Sequence, residues 1–505
     1  MDGRNSTEEQ PRDEEAEEIT SNSVPVDVEE LIQSMGSQLH GLPKLNTDSA
    51  CCSIFRVSQL ITDSDVHAQS YQPRTVSIGP FHRGKPRLKA MEEHKWRFLA
   101  RAIARTGVGL DRLIKEVKVL EKQARASYSE AIPTPKDKRN EFLEMLVLDG
   151  IFVIEILRAF SNVVPFNKGD LLRSMQWMRF RLRDDFLCLE NQIPYIVLQK
   201  LYQLTEMKGR EWLPRGSMPT LSQTAFHLFK ISDETGRDPE TICNALGCDF
   251  EGLHLLDLVR KSYLPKPKPK VSASGNRPSG AENVSPVSGS SGETPKVINI
   301  PSISKLRRAG IEVKLRDNQD TKRSFLPVDF KRGVIWMPLL ELDDTMCAIL
   351  LNFIAFEQCY EGTDRRMSEY AKFLDCLIDT HEDVDLLCEA EILRHHFGSQ
   401  REVAEFVNRL GMAAAVDNTK SYLRDVYVGV DEHYKNKLKR CEYKLHVYLA
   451  EVRDTHFRSP WTALSLLAAL ILLALTVAQT FYTIYPYYHP HEEKHSIAPP
   501  PKPYP

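Results

Sequence analysis

The chain of 505 residues has little cysteine, little net charge and, over most of its length, no long apolar run. Ten cysteines are too few for a disulfide-stabilised scaffold. A net charge of −3 gives no global basic field, which argues against nucleic acid as a partner. Because 42% of the residues are apolar, the chain can nevertheless bury a sizeable core, and a wholly disordered protein is excluded.

The N-terminus lacks the basic start and the apolar stretch of a secretory signal peptide. It is instead rich in Asp and Glu, a composition that cannot bury enough apolar surface to fold alone. We therefore predict an acidic disordered tail over residues 1–47.

One apolar run near the C-terminus departs from this soluble pattern. No charged residue interrupts residues 461–485, for which we predict a transmembrane helix. At 1.5 Å per residue this helix is long enough for a hydrocarbon core of about 30 Å. Trp461 is expected at one membrane interface, and Tyr482 and Tyr485 at the other, because aromatic side chains favour the headgroup level.

Basic residues are unevenly distributed around this run. Seven Lys and Arg residues lie between positions 435 and 458, whereas only Lys494 and Lys502 follow the run. Since positively charged flanks stay in the cytosol, we expect a single-pass, tail-anchored protein with a cytosolic N-terminal domain. The short polar tail at 486–505, rich in Pro and Tyr, would face a lumen or the cell exterior. The lipid bilayer, of the plasma membrane or an endomembrane, is thus a predicted partner.

A linker rich in Pro, Ser and Gly, residues 265–295, divides the soluble part. The block before it, 48–264, is mostly helical by pattern. The block after it, 296–458, opens with the alternating segment Ile311–Leu315, a predicted strand that Gly333–Met337 could pair with. The fold class we expect is a mainly α-helical globular domain with a small β element and one C-terminal transmembrane helix.

Several local signals place helices within these blocks. Phe142–Phe160 is apolar on nearly every face, which is typical of a central core helix. Asp343 suits a helix start, Thr380 begins a capping box, and Gly411 is predicted to end a helix.

The last soluble helix carries an apolar seam with spacings of four and three residues. Its members are Tyr434, Leu438, Cys441, Leu445, Tyr448 and Val452. The seam is shorter than the three to four heptads of a confident coiled coil. Packing against its own domain is therefore favoured, and a partner helix in a homo- or hetero-oligomer is the alternative.

The segment Gly79–Lys85 matches the phosphate-loop pattern G-x-x-x-x-G-K and follows an apparent strand, Arg74–Ile78. However, Pro86 stands where a Ser or Thr must bind magnesium, and proline has no N–H to offer a phosphate. Asp149 follows a strand-like stretch that is better interpreted as a helix. A nucleotide-binding enzyme that uses Lys85 and Asp149 is therefore only an alternative.

No other motif predicts catalysis, a cofactor or a metal. The chain has no C-x-x-C pair and no G-x-S-x-G elbow. Asp184 and Asp185 could pair as acid and base, but a role at a helix start is favoured. We expect no catalytic, cofactor-binding or metal-binding residues, and the chain is predicted not to be an enzyme.

Several short motifs follow one another in a characteristic order. They are Cys51–Val57, Tyr71–Lys85, Met91–Trp96, Asp149–Glu155, Leu189–Pro194, Ile300–Ser302, Ala309–Ile311, Phe353–Gln358, Asp383–Val384 and the membrane segment from Ser459. In this order they resemble a plant family known only as domain of unknown function 247. The chain departs from the family at Ser58, where Pro is usual, and at Arg83, where His is usual.

This resemblance implies a single-pass plant membrane protein. Members in grasses are implicated in pollen self-incompatibility as recognition determinants, which implies partner binding rather than catalysis. We therefore expect a membrane-tethered interaction or recognition protein with an unidentified protein partner. Besides the nucleotide enzyme, a structural oligomer formed through residues 434–452 stays open.

Overall fold

Helices dominate the part of the chain that the computed structural model describes. This part comprises residues 28–41, 52–58, 68–130, 132, 140–166, 176–206, 219–229, 242, 250–264, 298–316, 324–417, 419–436, 447 and 460–488. The chain divides into two units, Met1–Ala50 and Cys51–Pro505. Helix α1, Val28–Gly41, belongs to the first unit, and every other element named below belongs to the second.

The first block of the second unit is helical, as its sequence predicts. Two short 3₁₀ helices, Ala68–Tyr71 and Pro86–Leu88, accompany the longer helices. These helices are α2 (Ala90–Thr106), α3 (Leu110–Ala126), α4 (Glu141–Phe160), α5 (Gln176–Phe186), α6 (Tyr195–Leu204), α7 (Leu221–Leu228) and α8 (Leu255–Tyr263).

The second block mixes helices with short strands. In chain order it contains α9 (Ile303–Arg308), β1 (Glu312–Leu315), β2 (Asp329–Lys331), β3 (Val334–Met337), β4 (Leu340–Leu342), α10 (Asp344–Cys359), α11 (Arg366–Leu377), α12 (His381–Glu389), β5 (Leu393–His395), α13 (Gln400–Ala413) and α14 (Arg424–Lys435). Helix α15, Pro460–Tyr488, follows.

Helix α4 forms the centre of the first block, which confirms the core helix predicted over Phe142–Phe160. Its side chains are buried on every face, because α2, α3, α6 and α7 surround it. Each fully buried aliphatic or aromatic side chain contributes roughly 1.5–3 kcal/mol relative to its exposed state. The helix therefore needs no polar face.

The β element is small and lies in the second block. Strand β3 pairs in parallel with β1, with Glu312 opposite Val334, and antiparallel with β2. The predicted pairing of these two segments is thus confirmed. Arg332 and Gly333, both with positive φ, join β2 to β3 in a two-residue turn. A second sheet pairs β4 with β5 in parallel.

Two of the three helix signals are confirmed and one is wrong. The side chain of Asp343 accepts the N–H of Met346 at the start of α10, and Thr380 forms a capping box with Asp383. Gly411, however, does not end α13, which continues to Ala413. A Cβ on Gly411 would lie 2.3 Å from the Cβ of Asp375 on α11. Gly411 therefore allows α13 to pack closely against α11.

The two blocks pack against each other within the second unit. Leu189 donates its N–H to Asn352 at 2.8 Å, and Arg260 on α8 lies 2.9 Å from Glu357 on α10. The linker therefore does not separate the blocks in space. The predicted segment boundaries themselves stay predictions.

Candidate functional site

The segment before the candidate phosphate loop is irregular, so the strand predicted over Arg74–Ile78 is wrong. The N–H groups of Arg74, Thr75 and Val76 all donate to the carboxylate of Asp185, at 2.7–2.8 Å. The N–H of Ile78 donates to Asn191 Oδ1 at 2.7 Å. Side chains from α5 and the turn after it thus replace the neighbouring strand that a sheet would supply.

The first glycine of the loop is hydrogen-bonded to a carboxylate of the protein. The N–H of Gly79 donates to Asp149 Oδ2 at 3.0 Å. Gly79 has a φ of +78°, and an added Cβ would lie 2.4 Å from the carbonyl oxygen of Gln192. The first glycine is therefore required by its backbone conformation and by close packing. Its N–H, which a phosphate would need, already has an acceptor.

A fully buried lysine, which the sequence analysis did not single out, lies beneath this loop. The ammonium group of Lys95 on α2 donates to Asp149 Oδ1 and Glu92 Oε1 at 2.6 Å, and to the carbonyl of Ser77 at 2.5 Å. Asp149 thus pairs with Lys95 rather than with Lys85. The interpretation of Asp149 as a helical residue is confirmed, since it lies within α4.

A second buried polar cluster holds the middle of the loop. His82 Nε2 lies 2.8 Å from Glu190 Oε2, and the other oxygen of Glu190 accepts the N–H of Val57 at 2.8 Å. Burial lowers the pKa of His82, so the neutral ring donates through Nε2 to the carboxylate. Arg56 Nη1 approaches the same carboxylate at 3.9 Å. The cluster joins three segments that are distant in the sequence.

Asp184 and Asp185 lie at the end of α5, so their predicted role at a helix start is wrong. They border a cleft of about 220 Å³ whose lining includes Arg74, Arg181, Asp344, Cys188 and Cys347. Both oxygens of Asp185 are occupied by backbone N–H groups, and burial raises its pKa to about 6. Asp184 accepts a hydrogen bond from Thr345 at 3.2 Å. Both carboxylates therefore border the cleft, and Asp185 in addition holds the backbone of residues 74–76.

The apolar seam at the end of the soluble part falls largely outside the described residues. Tyr434 lies near the end of α14 and packs against the core. Five seam residues lie outside the described part: Leu438, Cys441, Leu445, Tyr448 and Val452. The oligomer that this seam would form stays a prediction.

Helix α15 contains all three residues assigned to the membrane interfaces. Tyr482 is 74% exposed, and the backbones of Trp461 and Tyr485 lie in the same helix. The 18-residue stretch Leu467–Ile484 is long and apolar enough to cross a membrane, and none of it is buried against the rest of the chain. Among the described residues, no cluster of three or more His, Cys, Asp or Glu side chains could hold a metal ion.

Comparison with known proteins places the chain in a family. Residues 54–475 match the family DUF247, described as plant protein of unknown function. The chain belongs to the DUF247 family. It is 33% identical to the UPF0481 protein At3g47200 of Arabidopsis thaliana, over 89% of this chain and 90% of that one. It is 24% identical to the putative UPF0481 protein At3g02645 of the same plant, over 88% and 92%. No solved structure matches the chain.

In this DUF247 chain, motifs that are far apart in the sequence meet in one buried network. Val57 and Gly79 supply backbone N–H groups, and Glu190 and Asp149 supply the acceptors. The motif from Met91 contributes Lys95. The charged groups of these motifs therefore hold an irregular segment in place, which gives them a structural role in the fold.

Proposed function

We propose that the chain is a membrane-tethered interaction or recognition protein whose globular domain faces the cytosol. The observation that carries the proposal is the exposure of α15. Eight of its large aliphatic side chains between Leu464 and Val477 are 52–64% exposed, and no charged residue interrupts the helix. A helix that is apolar on every face requires an apolar surrounding.

The cost of leaving α15 in water supports this proposal. Each aliphatic side chain moved from water into an apolar medium contributes roughly 1.5–3 kcal/mol. The eight large aliphatic side chains exposed by half or more between Leu464 and Val477 therefore amount to about 10 kcal/mol or more. A bilayer about 30 Å thick would cover them along the helix, which rises 1.5 Å per residue.

The polar groups around the loop are hydrogen-bonded within the protein, which supports partner binding rather than catalysis as the role of the domain. Lys95, Asp149, Asp185 and Glu190 each have partners within the protein, and each bonds to at least one backbone group. The motifs thus stabilise a rigid domain, and the family resemblance to recognition determinants points in the same direction. A tethered domain of this kind meets membrane-bound partners at a raised local concentration.

The tether can be tested by placing charge within α15. We expect the double variant Leu470→Arg, Leu473→Arg to leave the membrane fraction. Each Arg at the centre of a span costs roughly 2.5–3.5 kcal/mol, and each leucine that is replaced removes a further 1.5–3 kcal/mol or so of apolar gain, which together offset the gain of about 10 kcal/mol. The matched control is Met412→Arg, since Met412 is an apolar residue outside α15 that is 84% exposed. Both variants would be expressed in plant cells and extracted with alkaline carbonate.

The proposal predicts that wild type and Met412→Arg resist extraction, whereas the double variant is released into the soluble fraction. If the double variant stayed in the membrane pellet as firmly as wild type, α15 would not be the anchor. If wild type were itself released by carbonate, the chain would not be an integral membrane protein.

A further inference from the structure

Helix α5 exposes two large aromatic side chains on one face. Trp177 is 59% exposed and Phe180 is 60% exposed, and their spacing of three residues places them side by side along the helix. Met178 and Leu182, which point to the other side, are buried in the core. We call Trp177, Phe180 and the neighbouring Arg181 the aromatic face. Apolar residues exposed singly are common, whereas two adjacent aromatic rings indicate an interaction surface.

Contacts on the buried side of α5 hold the aromatic face in place. The buried Arg183 donates a hydrogen bond to Thr345 Oγ1 on α10 at 2.5 Å. Its guanidinium group also lies 5.5 Å from the centre of the Phe180 ring. Asp185, at the end of the same helix, accepts the backbone N–H groups of residues 74–76. The two rings are therefore presented by a fixed element, and binding them costs little conformational entropy.

The sequence around the aromatic face carries positive charge. Residues 171–183 contain four Arg and no Asp or Glu. The side chain of Arg181 is 44% exposed and lies 4.0 Å from the carboxylate of Asp184, which is beyond hydrogen-bond distance. Its guanidinium donors are thus accessible to an anion in solution. Exposed Trp and Phe side chains together with Arg are typical of helices that lie at a bilayer surface.

The membrane helix of the same chain makes a bilayer the favoured occupant of this face. Helix α14 ends at Lys435 and α15 begins at Pro460, and the chain between them can extend at most roughly 80 Å. A bilayer that holds α15 therefore stays within reach of the globular domain, and even a weak surface affinity is sufficient at this proximity. The cytosolic leaflet carries anionic lipids, which complement the charge of residues 171–183.

We propose that the aromatic face of α5 binds the anionic surface of the bilayer in which α15 is anchored. Trp177 and Phe180 lie at the level of the lipid headgroups, where amphipathic rings are favoured, and Arg181 lies beside the lipid phosphates. The inference rests on the proposed membrane tether and adds an orientation to it. The domain lies on the membrane through α5, so a cytosolic partner meets the surfaces that are remote from this helix.

Indole fluorescence of the full chain tests this contact. The protein would be reconstituted into phosphatidylcholine vesicles, with and without phosphatidylserine, whose acyl chains are either ordinary or brominated near the headgroup. Bromine quenches an indole only at short range, and the difference between wild type and Trp177→Phe isolates the signal of Trp177. The variant keeps an aromatic ring at an exposed position, so its fold should be retained. The matched control is Trp96→Phe, because Trp96 on α2 is 47% exposed.

We expect brominated lipid to quench Trp177 but not Trp96. The loss of Trp177 fluorescence should be at least about twofold larger with phosphatidylserine than without it, because Arg near an anionic surface strengthens binding. High salt should reduce the quenching, since it screens the attraction between Arg and the headgroups. Trp461, expected at the membrane interface, is present in all three proteins and cancels in the differences.

Flotation of the same vesicles separates this inference from the tether. If wild type floats with both lipid compositions but Trp177 is not quenched, or is quenched no more than Trp96, the aromatic face does not bind the bilayer and the tether stands. If wild type floats only with the anionic vesicles, is released by salt and shows quenched Trp177, the aromatic face is supported and the tether is contradicted. If wild type floats with neither, both proposals are wrong.

Discussion

Protonation of His254 should destabilise the fold within a defined pH window. The imidazole is fully buried at the start of α8, where Nε2 faces the carbonyl of Ser53 and Nδ1 accepts the N–H of Asp257 at 3.3 Å. A second proton would have to be placed on Nδ1, directly against the N–H of Asp257. Burial accordingly lowers the pKa of His254 to about 4.

The size and sign of the effect follow from this shift. An unfolded chain would titrate this group near pH 6.5, so the folded state binds fewer protons between the two pKa values. The stabilisation is then complete above about pH 6.5 and is lost as the pH falls toward about 4. A shift of about 2.5 pKa units corresponds to roughly 3 kcal/mol of unfolding free energy.

The variant His254→Asn isolates this contribution. Asn retains an acceptor for the N–H of Asp257 at the helix start but does not titrate. Urea unfolding of both full-length proteins, in detergent and reducing buffer, would be measured from about pH 4 to about pH 7. We expect wild type to lose roughly 3 kcal/mol more than the variant over this range.

The comparison between the two proteins removes the contributions of other groups. Asp185, whose pKa is raised to about 6, titrates in the same window with the opposite sign: its contribution is complete at low pH and is lost as the pH rises. Because Asp185 is present in both proteins, its effect cancels. Parallel stability curves for wild type and His254→Asn would refute the reasoning.

Two further predictions use matched controls, and urea unfolding checks both. Lys95→Ala should lower stability by about 3–5 kcal/mol, because it leaves the buried carboxylate of Asp149 unpaired, whereas Arg97→Ala removes only an exposed ion pair and should cost less than about 1 kcal/mol. Equal losses would contradict a special role for the buried pair. Gly79→Ala should destabilise far more than Gly84→Ala: both have a φ near +80°, but an added Cβ meets a backbone carbonyl oxygen only at Gly79. Similar midpoints for these two variants would show that close packing at Gly79 does not matter.

Local patterns were sufficient for the fold class and for several elements. The helix around Asp149 was predictable because a long segment that is apolar on nearly every face belongs in a core, and the pairing of β1 with β3 because alternating apolar residues indicate a strand. Cap residues such as Asp343 were also predictable, since a cap bonds to residues only a few positions away.

The buried network could not be predicted in the same way, because its partners are distant in the sequence. In the sequence, Lys95 cannot be distinguished from a lysine on a helix surface, because its partner Asp149 lies 54 positions away on α4. The strand expected at Arg74–Ile78 failed because its backbone donors bond to the side chains of Asp185 and Asn191 instead of a neighbouring strand. The two adjacent carboxylates of α5 are the signal that the sequence contains, but by pattern alone they favour a helix start.

The topology of the chain is the measurement that tests the central claim most directly. The sequence contains two natural acceptor sites for N-glycosylation, Asn5 and Asn283, both in the part that we expect to be cytosolic. A third acceptor would be engineered into a lengthened tail beyond α15, and glycosidase shifts would be measured after expression in plant cells. The account predicts glycans on the tail site alone. Glycans on Asn5 or Asn283, or an unmodified tail, would contradict a cytosolic domain held by a membrane-spanning α15.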